Sequence, residues 1–317
     1  MTFAQRFALV LLAAFFMASI ATSLLAWVCA PAILRATAPA AASARAWALA
    51  AYRLAPAAAA LAVTSLVLAP GYFRHEQRAR LEDVGVLFAA CAMGGALILL
   101  ASLVRAGLAI TRTARLRRAW LAHAQSVSIE GMAAYEIETR FPLVAMLGAI
   151  RPRLFISSAV LRACTPEELA AIVQHERRHV SAGDNAIRLM MDAAPDLLSV
   201  TRRSAAIGDA WHQAVEHRAD EAAPERLTLA SALVRVARMA GDARPVRLPA
   251  SALYRGEGIE ERVRRLLAAA PDGRSRGMVR LLTAVSLAAS AGIAAAAFSP
   301  RISQLSHDLL EAVVSLR

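Results

Sequence analysis

The stretch IVQHERRHVSAGD, residues 172–184, contains two histidines four residues apart and a glutamate directly after the first histidine. On a helix, residues four apart lie on one face, so His175 and His179 can bind the same metal ion. Glu176 lies beside them, where it can take a proton from water without binding the metal. The HExxH pattern therefore predicts a zinc site with Glu176 as general base. The alternative is a solvated helix face with two ordinary histidines.

The residues before the motif predict a helix that begins at Thr165. Pro166 suits the first helical position, and Glu168 follows Thr165 by three residues, as in a capping box. Apolar residues then recur at helical spacing up to the motif. Both histidines are therefore predicted to lie well inside a helix.

Three short segments upstream alternate in the manner of half-buried strands: SVSIE (126–130), YEIET (135–139) and RLFIS (153–157). An edge strand can bind a peptide substrate by adding the substrate as a further strand. RLFIS is a candidate for that edge, and an ordinary internal strand is the equal alternative.

A catalytic zinc needs a third protein ligand and one open position. The stretch AWHQAVEHRADEAA (210–223) places Glu216 four residues before Asp220, on one helical face. We predict that Glu216 is the third ligand and that Asp220 accepts the free ring N–H of a ligand histidine. Asp184 is the main competing ligand, and we expect it to brace the motif helix from outside the ligand set. Further candidates are nearby, with His212, His217 and Glu221 as ligands and His212, His217 and Tyr254 as oxyanion donors.

The composition indicates a membrane protein. Hydrophobic residues make up 58% of the 317 residues, and the mean hydropathy is +0.47, above the usual apolar share of soluble proteins. All 36 basic residues are arginine, and they give a net charge of +12. These arginines flank apolar runs, and no helix-turn-helix, finger or RNP pattern accompanies them. Lipid headgroups are therefore favoured over nucleic acid as the partner.

Four apolar stretches are long enough to cross a bilayer, which takes about 20 helical residues. Three precede the motif, at residues 7–34, 54–73 and 84–104, and the fourth lies at residues 280–300. The first is interpreted as an anchor, because its apolar run exceeds the about 7 to 15 residues of a signal peptide.

Residues 111–279 have ordinary polarity and form the predicted working domain. Arginine-rich segments, TRTARLRR (111–118) and RSRGMVR (274–280), flank it on both sides, so the positive-inside rule predicts a cytoplasmic domain. The tail at residues 301–317 is then expected outside.

One group of charges opposes this orientation. Arg74, Arg78 and Arg80 would lie in the outer loop between the second and third spans. We give the two arginine-rich flanks of the large domain more weight than these three arginines.

Four features together resemble the BlaR/MecR family of membrane antirepressor metallopeptidases over most of the chain. They are the order of spans, FPLVAMLGAIRPRLFISSAVLRACTPEELAAIVQHERRHVSAGD (141–184), WHQAVEHRAD (211–220) and GIEERVRRLLA (258–268). The resemblance implies a mainly α membrane protein of the bacterial inner membrane, with four transmembrane helices. It places an α+β gluzincin-type zinc peptidase domain between the third and fourth helices. It implies Zn²⁺ as cofactor, with His175, His179 and Glu216 as ligands and Glu176 as general base.

The resemblance also implies a role. Some members of that family cleave a DNA-binding repressor when an outer penicillin-binding domain is acylated, but residues 301–317 are too few for such a sensor. We expect an integral membrane zinc metalloendopeptidase that cleaves a cytoplasmic protein, such as a BlaI/MecI-like repressor, and does not itself bind nucleic acid. A second copy of the chain, in a homo-oligomer, is a further candidate partner.

Two alternatives remain. One is an HtpX-like membrane protein quality-control protease, in which hydrophobic helices follow the motif more closely. Here residues 187–200 are interrupted by charges and a proline, so we expect them to be buried in the domain rather than to span the membrane. The other alternative is a catalytically inactive membrane signalling scaffold.

Overall fold

Three long helices make up the first part of the chain in the computed structural model, which describes residues 2–70, 72, 85–139, 141–240 and 258–268. Each is long and apolar enough to cross a membrane. They are α1 (Phe3–Thr37), α2 (Ala42–Ala62, continued by a π-helix at Val63–Leu68) and α3 (Val86–Leu121). Most of the rest of the described chain is also helical, so this is a mostly helical protein with three candidate membrane spans.

The helices extend beyond the apolar stretches from which the spans were predicted. The second helix begins at Ala42 rather than near residue 54, and α3 continues past residue 104 to Leu121. At 1.5 Å per residue, the 35 residues of α1 are about 52 Å long, whereas the apolar core of a bilayer is about 30 Å thick. Part of α1 therefore projects beyond a membrane that it crosses.

Several predictions about the membrane region lie outside the described residues. These are the fourth span at 280–300, the tail at 301–317 and the loop arginines Arg74, Arg78 and Arg80.

Glycines let α1 and α3 approach closely. A Cβ atom on Gly95 would collide with the backbone of Leu12, and one on Gly94 would lie 2.6 Å from the ring of Phe16. Small residues at a helix contact allow such close backbone packing in membranes. The backbones of the two helices are therefore in direct contact at Leu12 of α1 and Gly95 of α3.

A four-stranded sheet follows α3, with the strand order β1-β2-β4-β3. Its strands are β1 (Gln125–Ile129), β2 (Met132–Ile137), β3 (Val144–Leu147) and β4 (Arg153–Ser157). β2 pairs in parallel with β4, and the two other pairs are antiparallel. The three predicted strands are confirmed. β3 was not predicted, because all four of its residues are buried and it lacks the alternation of a half-exposed strand.

The RLFIS segment is not an edge strand. It forms β4, which pairs with β2 on one side and β3 on the other. The hypothesis that a substrate adds to β4 is therefore wrong, since both of its sides are occupied. The edges of this sheet are β1 and β3.

Helices form most of the remainder of the described domain, and several of them share a core with the sheet. Ile172 and Val173 from one helix and Leu229 and Leu233 from another share a core with Leu154 of β4. The helices are α4 (Ser158–Ala163), α5 (Pro166–Ala182), α6 (Asp184–Ala193), α7 (Arg202–Glu221), α8 (Arg226–Ala240) and α9 (Ile259–Leu267).

Both ends of α5 have local causes in the sequence. Thr165 accepts a hydrogen bond from the Glu168 backbone N–H at 3.2 Å, and the Glu168 carboxylate accepts one from the Thr165 N–H at 3.0 Å. The predicted capping box is confirmed. The helix ends at Gly183, whose φ of +70° favours glycine.

The membrane helices and the domain share a second core. Ala30 of α1 and Leu49 of α2 pack with Trp211 and Val215 of α7, and Ile187 of α6 joins them. The end of α1 and the start of α2 thus form a helical hairpin against one face of α7.

Candidate metal site

The two motif histidines and Glu216 come together between α5 and α7. The Nε2 atoms of His175 and His179 lie 3.1 Å apart. The Glu216 carboxylate, from α7, lies 3.5 Å from each of these nitrogens. The three ligand atoms fall within 4.8 Å of one another, a cluster that could hold a metal ion.

A carboxylate contacts the outer nitrogen of each histidine. His179 Nδ1 lies 2.7 Å from Asp184, and His175 Nδ1 lies 3.1 Å from Asp220. A carboxylate at Nδ1 favours a proton on that nitrogen, which leaves the Nε2 lone pair free. The two free lone pairs then face each other beside the Glu216 carboxylate. Such an arrangement suits a cation, so these residues fit a metal.

Buried arginines in turn hold these carboxylates. Arg218 of α7 is hydrogen bonded to Asp184, and Arg262 of α9 contacts Asp220 through two nitrogens, at 2.8 and 2.7 Å. Arg262 also lies 3.0 Å from Glu216. Each histidine is therefore oriented by a carboxylate that is itself fixed by an arginine.

Glu176 lies in the same buried site. Its exposed fraction is 1%, and its Oε2 atom has no hydrogen-bond partner among the described residues. Burial raises the pKa of this carboxyl, although the two motif histidines oppose the shift. A buried carboxyl with a raised pKa and a free oxygen is suited to accept a proton from water.

The surrounding charges raise the pKa of the ligand His175 and lower the pKa of the ligand Glu216. Burial disfavours the charged imidazolium of His175, but contacts with Asp220 and Glu216 outweigh burial and raise its pKa to about 9. Burial would raise the pKa of Glu216, but Arg262 and the histidines lower it well below its usual range. Glu216 is thus held as a carboxylate, and metal binding competes with a proton on His175.

The other candidate metal ligands do not join the cluster of His175, His179 and Glu216. Within the described ranges, His175, His179 and Glu216 are the only group of three metal-binding side chains that cluster. Glu221 pairs with Arg265 at 3.1 Å, and neither His212 nor His217 joins the cluster. Tyr254 lies outside the described residues. Asp184 lies outside the ligand set, as expected. It contacts the outer nitrogen of the ligand His179 directly.

Sequence reasoning missed Arg262 and Arg218. In α9, Arg262 and Leu266 are both buried, one helical turn apart, so this arginine stands on the apolar face of an amphipathic helix. A charge at such a position signals a buried partner. That pattern could have identified Arg262, whereas Arg218 lies beside the recognised residues without a distinct signal.

We expect Arg262→Ala to weaken zinc binding by about 10- to 100-fold, because it frees both Asp220 and Glu216. Arg264→Ala is the matched control, since Arg264 is exposed and its ion pairs among the described residues lie within its own helix. Zinc affinity would be measured by competition with a chelator. Equal affinities in the two variants would contradict a role for Arg262 in the site.

Comparisons with known proteins agree with this geometry. Residues 111–240 match the family model described as Peptidase family M48, and this segment contains His175, Glu176, His179 and Glu216. No curated protein and no solved structure matches the chain. The match and the three apolar helices support a metallopeptidase domain in a membrane protein.

Proposed function

We propose that this protein is a membrane zinc metalloendopeptidase of the HExxH + ExxxD type. The observation that carries the proposal is the pair of facing Nε2 atoms, 3.1 Å apart, with the Glu216 carboxylate beside both. The match to Peptidase family M48 supports the same class of enzyme. Two histidines and one carboxylate are a common ligand set of catalytic zinc.

The chemistry follows from the positions of the side chains. His175, His179 and Glu216 would hold the zinc, which when bound supplies a Lewis acid that polarises the scissile carbonyl and activates water. Glu176 takes the proton of the attacking water and passes it to the leaving amine. Asp184 and Asp220 keep the histidine rings oriented during this transfer.

We further propose that the enzyme is regulatory and cleaves a cytoplasmic protein, such as a BlaI/MecI-like repressor. The resemblance of the spans and motifs to the BlaR/MecR family supports this role. The arginine-rich segment at residues 111–118, at the end of α3, supports a cytoplasmic position of the domain in the inner membrane of a bacterium.

An HtpX-like quality-control protease is the second candidate. The match to Peptidase family M48 is equally compatible with it. The two candidates differ in substrate, because a quality-control protease acts on misfolded membrane proteins and a regulatory protease on one folded cytoplasmic protein.

The substrate is tested by comparing cells that express the full-length protein with cells that express Glu176→Gln. New protein N-termini found only with the active chain identify cleavage sites. Cleavage confined to one DNA-binding protein supports the regulatory role. Cleavage of many membrane proteins supports the quality-control role and contradicts the regulatory one.

The orientation is tested with reporter fusions. We expect a phosphatase reporter joined after residue 120 to be inactive, because the positive-inside rule places the end of α3 in the cytoplasm. The same reporter joined after residue 317 should be active if a fourth span follows. An active fusion at residue 120 would place the site outside and exclude a cytoplasmic substrate.

A further inference from the structure

The segment between α6 and α7, residues 194–201, contains the second half of the stretch 187–200, which we expected to be buried in the domain rather than to span the membrane. It is docked against the membrane helices. We call it the docked segment. It contains a short 3-10 helix at Leu198–Val200, and its last residue, Thr201, caps α7 by accepting a hydrogen bond from the Ser204 N–H. It does not span the membrane, because only eight residues separate the two helices.

A buried ion pair fixes the docked segment to α2. Arg53 Nη1 lies 2.8 Å from Asp196 Oδ2, and the exposed fractions of the two side chains are 4% and 0%. The other oxygen of Asp196 accepts a hydrogen bond from the Ser199 N–H at 2.9 Å. Asp196 therefore connects the membrane helix to the turn before α7.

The other two membrane helices also hold the docked segment. Ser23 of α1 accepts a hydrogen bond from the Leu197 N–H at 3.3 Å. Arg105 of α3 donates to the carbonyls of Asp192 and Ala194 at 3.0 and 2.8 Å. Irregular backbone beside membrane helices is stable only where protein groups satisfy its polar atoms. Here Ser23 of α1 and Arg105 of α3 bind backbone atoms of the docked segment, and Arg53 of α2 binds its Asp196 side chain.

The docked segment joins two helices that carry residues of the metal site. Asp184 stands at the start of α6, and Glu216 and Asp220 stand on the last turns of α7. Another face of α7 packs on α1 and α2 through Trp211 and Val215. Since a helix moves as a rigid element, the anchor at its start limits where Glu216 can lie relative to the motif histidines.

We propose that Arg53 is a positioning residue for the metal site: through Asp196 it anchors the docked segment, so that the membrane helices set the position of Glu216. The inference rests on the proposed function and extends it, because it makes the membrane region part of the peptidase rather than a passive anchor. A shift of α2 would then change the site without any contact to substrate.

The test uses full-length protein in detergent, with Co²⁺ and Zn²⁺ as probes. Removing Arg53 alone would leave Asp196 buried and unpaired, which destabilises a protein strongly. The decisive variant is therefore Arg53→Met combined with Asp196→Asn, which removes both charges together and keeps an oxygen that can accept the hydrogen bond of the Ser199 N–H. Arg35→Ala is the matched control, because Arg35 is exposed and, within the part of the chain that the structure describes, donates to Pro31 of its own helix.

We expect the double variant to keep the wild-type melting temperature while its zinc affinity falls by about 2- to 30-fold. The visible spectrum of bound Co²⁺ should also change, since it reports ligand geometry and a merely structural role would leave it unmoved. Zinc affinity and a cobalt spectrum equal to those of Arg35→Ala would overturn the inference. A wild-type protein that binds neither metal would overturn the proposed function, and the inference with it.

Discussion

We expect Glu176→Gln to keep its zinc and to lose proteolysis by about 10²- to 10⁴-fold, the contribution of a general base. Glutamine has nearly the shape of glutamate but cannot accept the proton of the attacking water. Its side chain fits the same buried position, where Glu176 has an exposed fraction of 1%. Activity would be measured with fluorescently labelled casein and full-length protein in detergent, beside a zinc determination on the same sample.

His175→Ala provides the contrast for this experiment. It removes one of the two facing ring nitrogens, so both zinc and activity should be lost. Undiminished proteolysis by Glu176→Gln would exclude Glu176 as the base. A wild-type chain that binds zinc but cleaves no protein, alone or in cells, would favour the inactive scaffold.

The second large effect is expected at Glu216. Glu216→Ala should remove zinc more completely than Asp184→Ala or Asp220→Ala, which should each weaken binding by about 10- to 100-fold. The reason is geometric: Glu216 lies 3.5 Å from both inner nitrogens, whereas the aspartates contact the outer ones. Chelator competition on the three variants measures the ranking.

The ranking also decides the third ligand. Zinc lost with Asp184→Ala but retained with Glu216→Ala would transfer the ligand role to the aspartate. The loss expected for Asp184→Ala follows from its contacts, because Asp184 orients His179 and is held by Arg218.

Local patterns explain what could be predicted of this site. The capping box at Thr165 and the four-residue spacings of His175–His179 and Glu216–Asp220 are each set within one helix. The meeting of these two helices was inferred only from the chemistry that zinc requires. The structure brings the predicted residues together in one cluster.

Long-range pairs explain what could not be predicted. Arg53 and Asp196 are 143 positions apart, and no sequence motif links the two positions. In the sequence, Asp196 is one of the charges that interrupt residues 187–200 and argue against a membrane span, and nothing there indicates its pairing with Arg53 of α2. Arg262 similarly reaches Asp220 from 42 positions away. Such pairs depend on tertiary packing, which a single sequence does not reveal.

The most direct test of the account is X-ray absorption at the zinc edge of full-length wild-type protein, combined with its metal content. The proposed site predicts about one zinc per chain, with nitrogen and oxygen ligands at about 2.0–2.2 Å that include two imidazoles. Sulfur ligands at about 2.3 Å, or a protein that retains no zinc, would contradict a metal site formed by His175, His179 and Glu216.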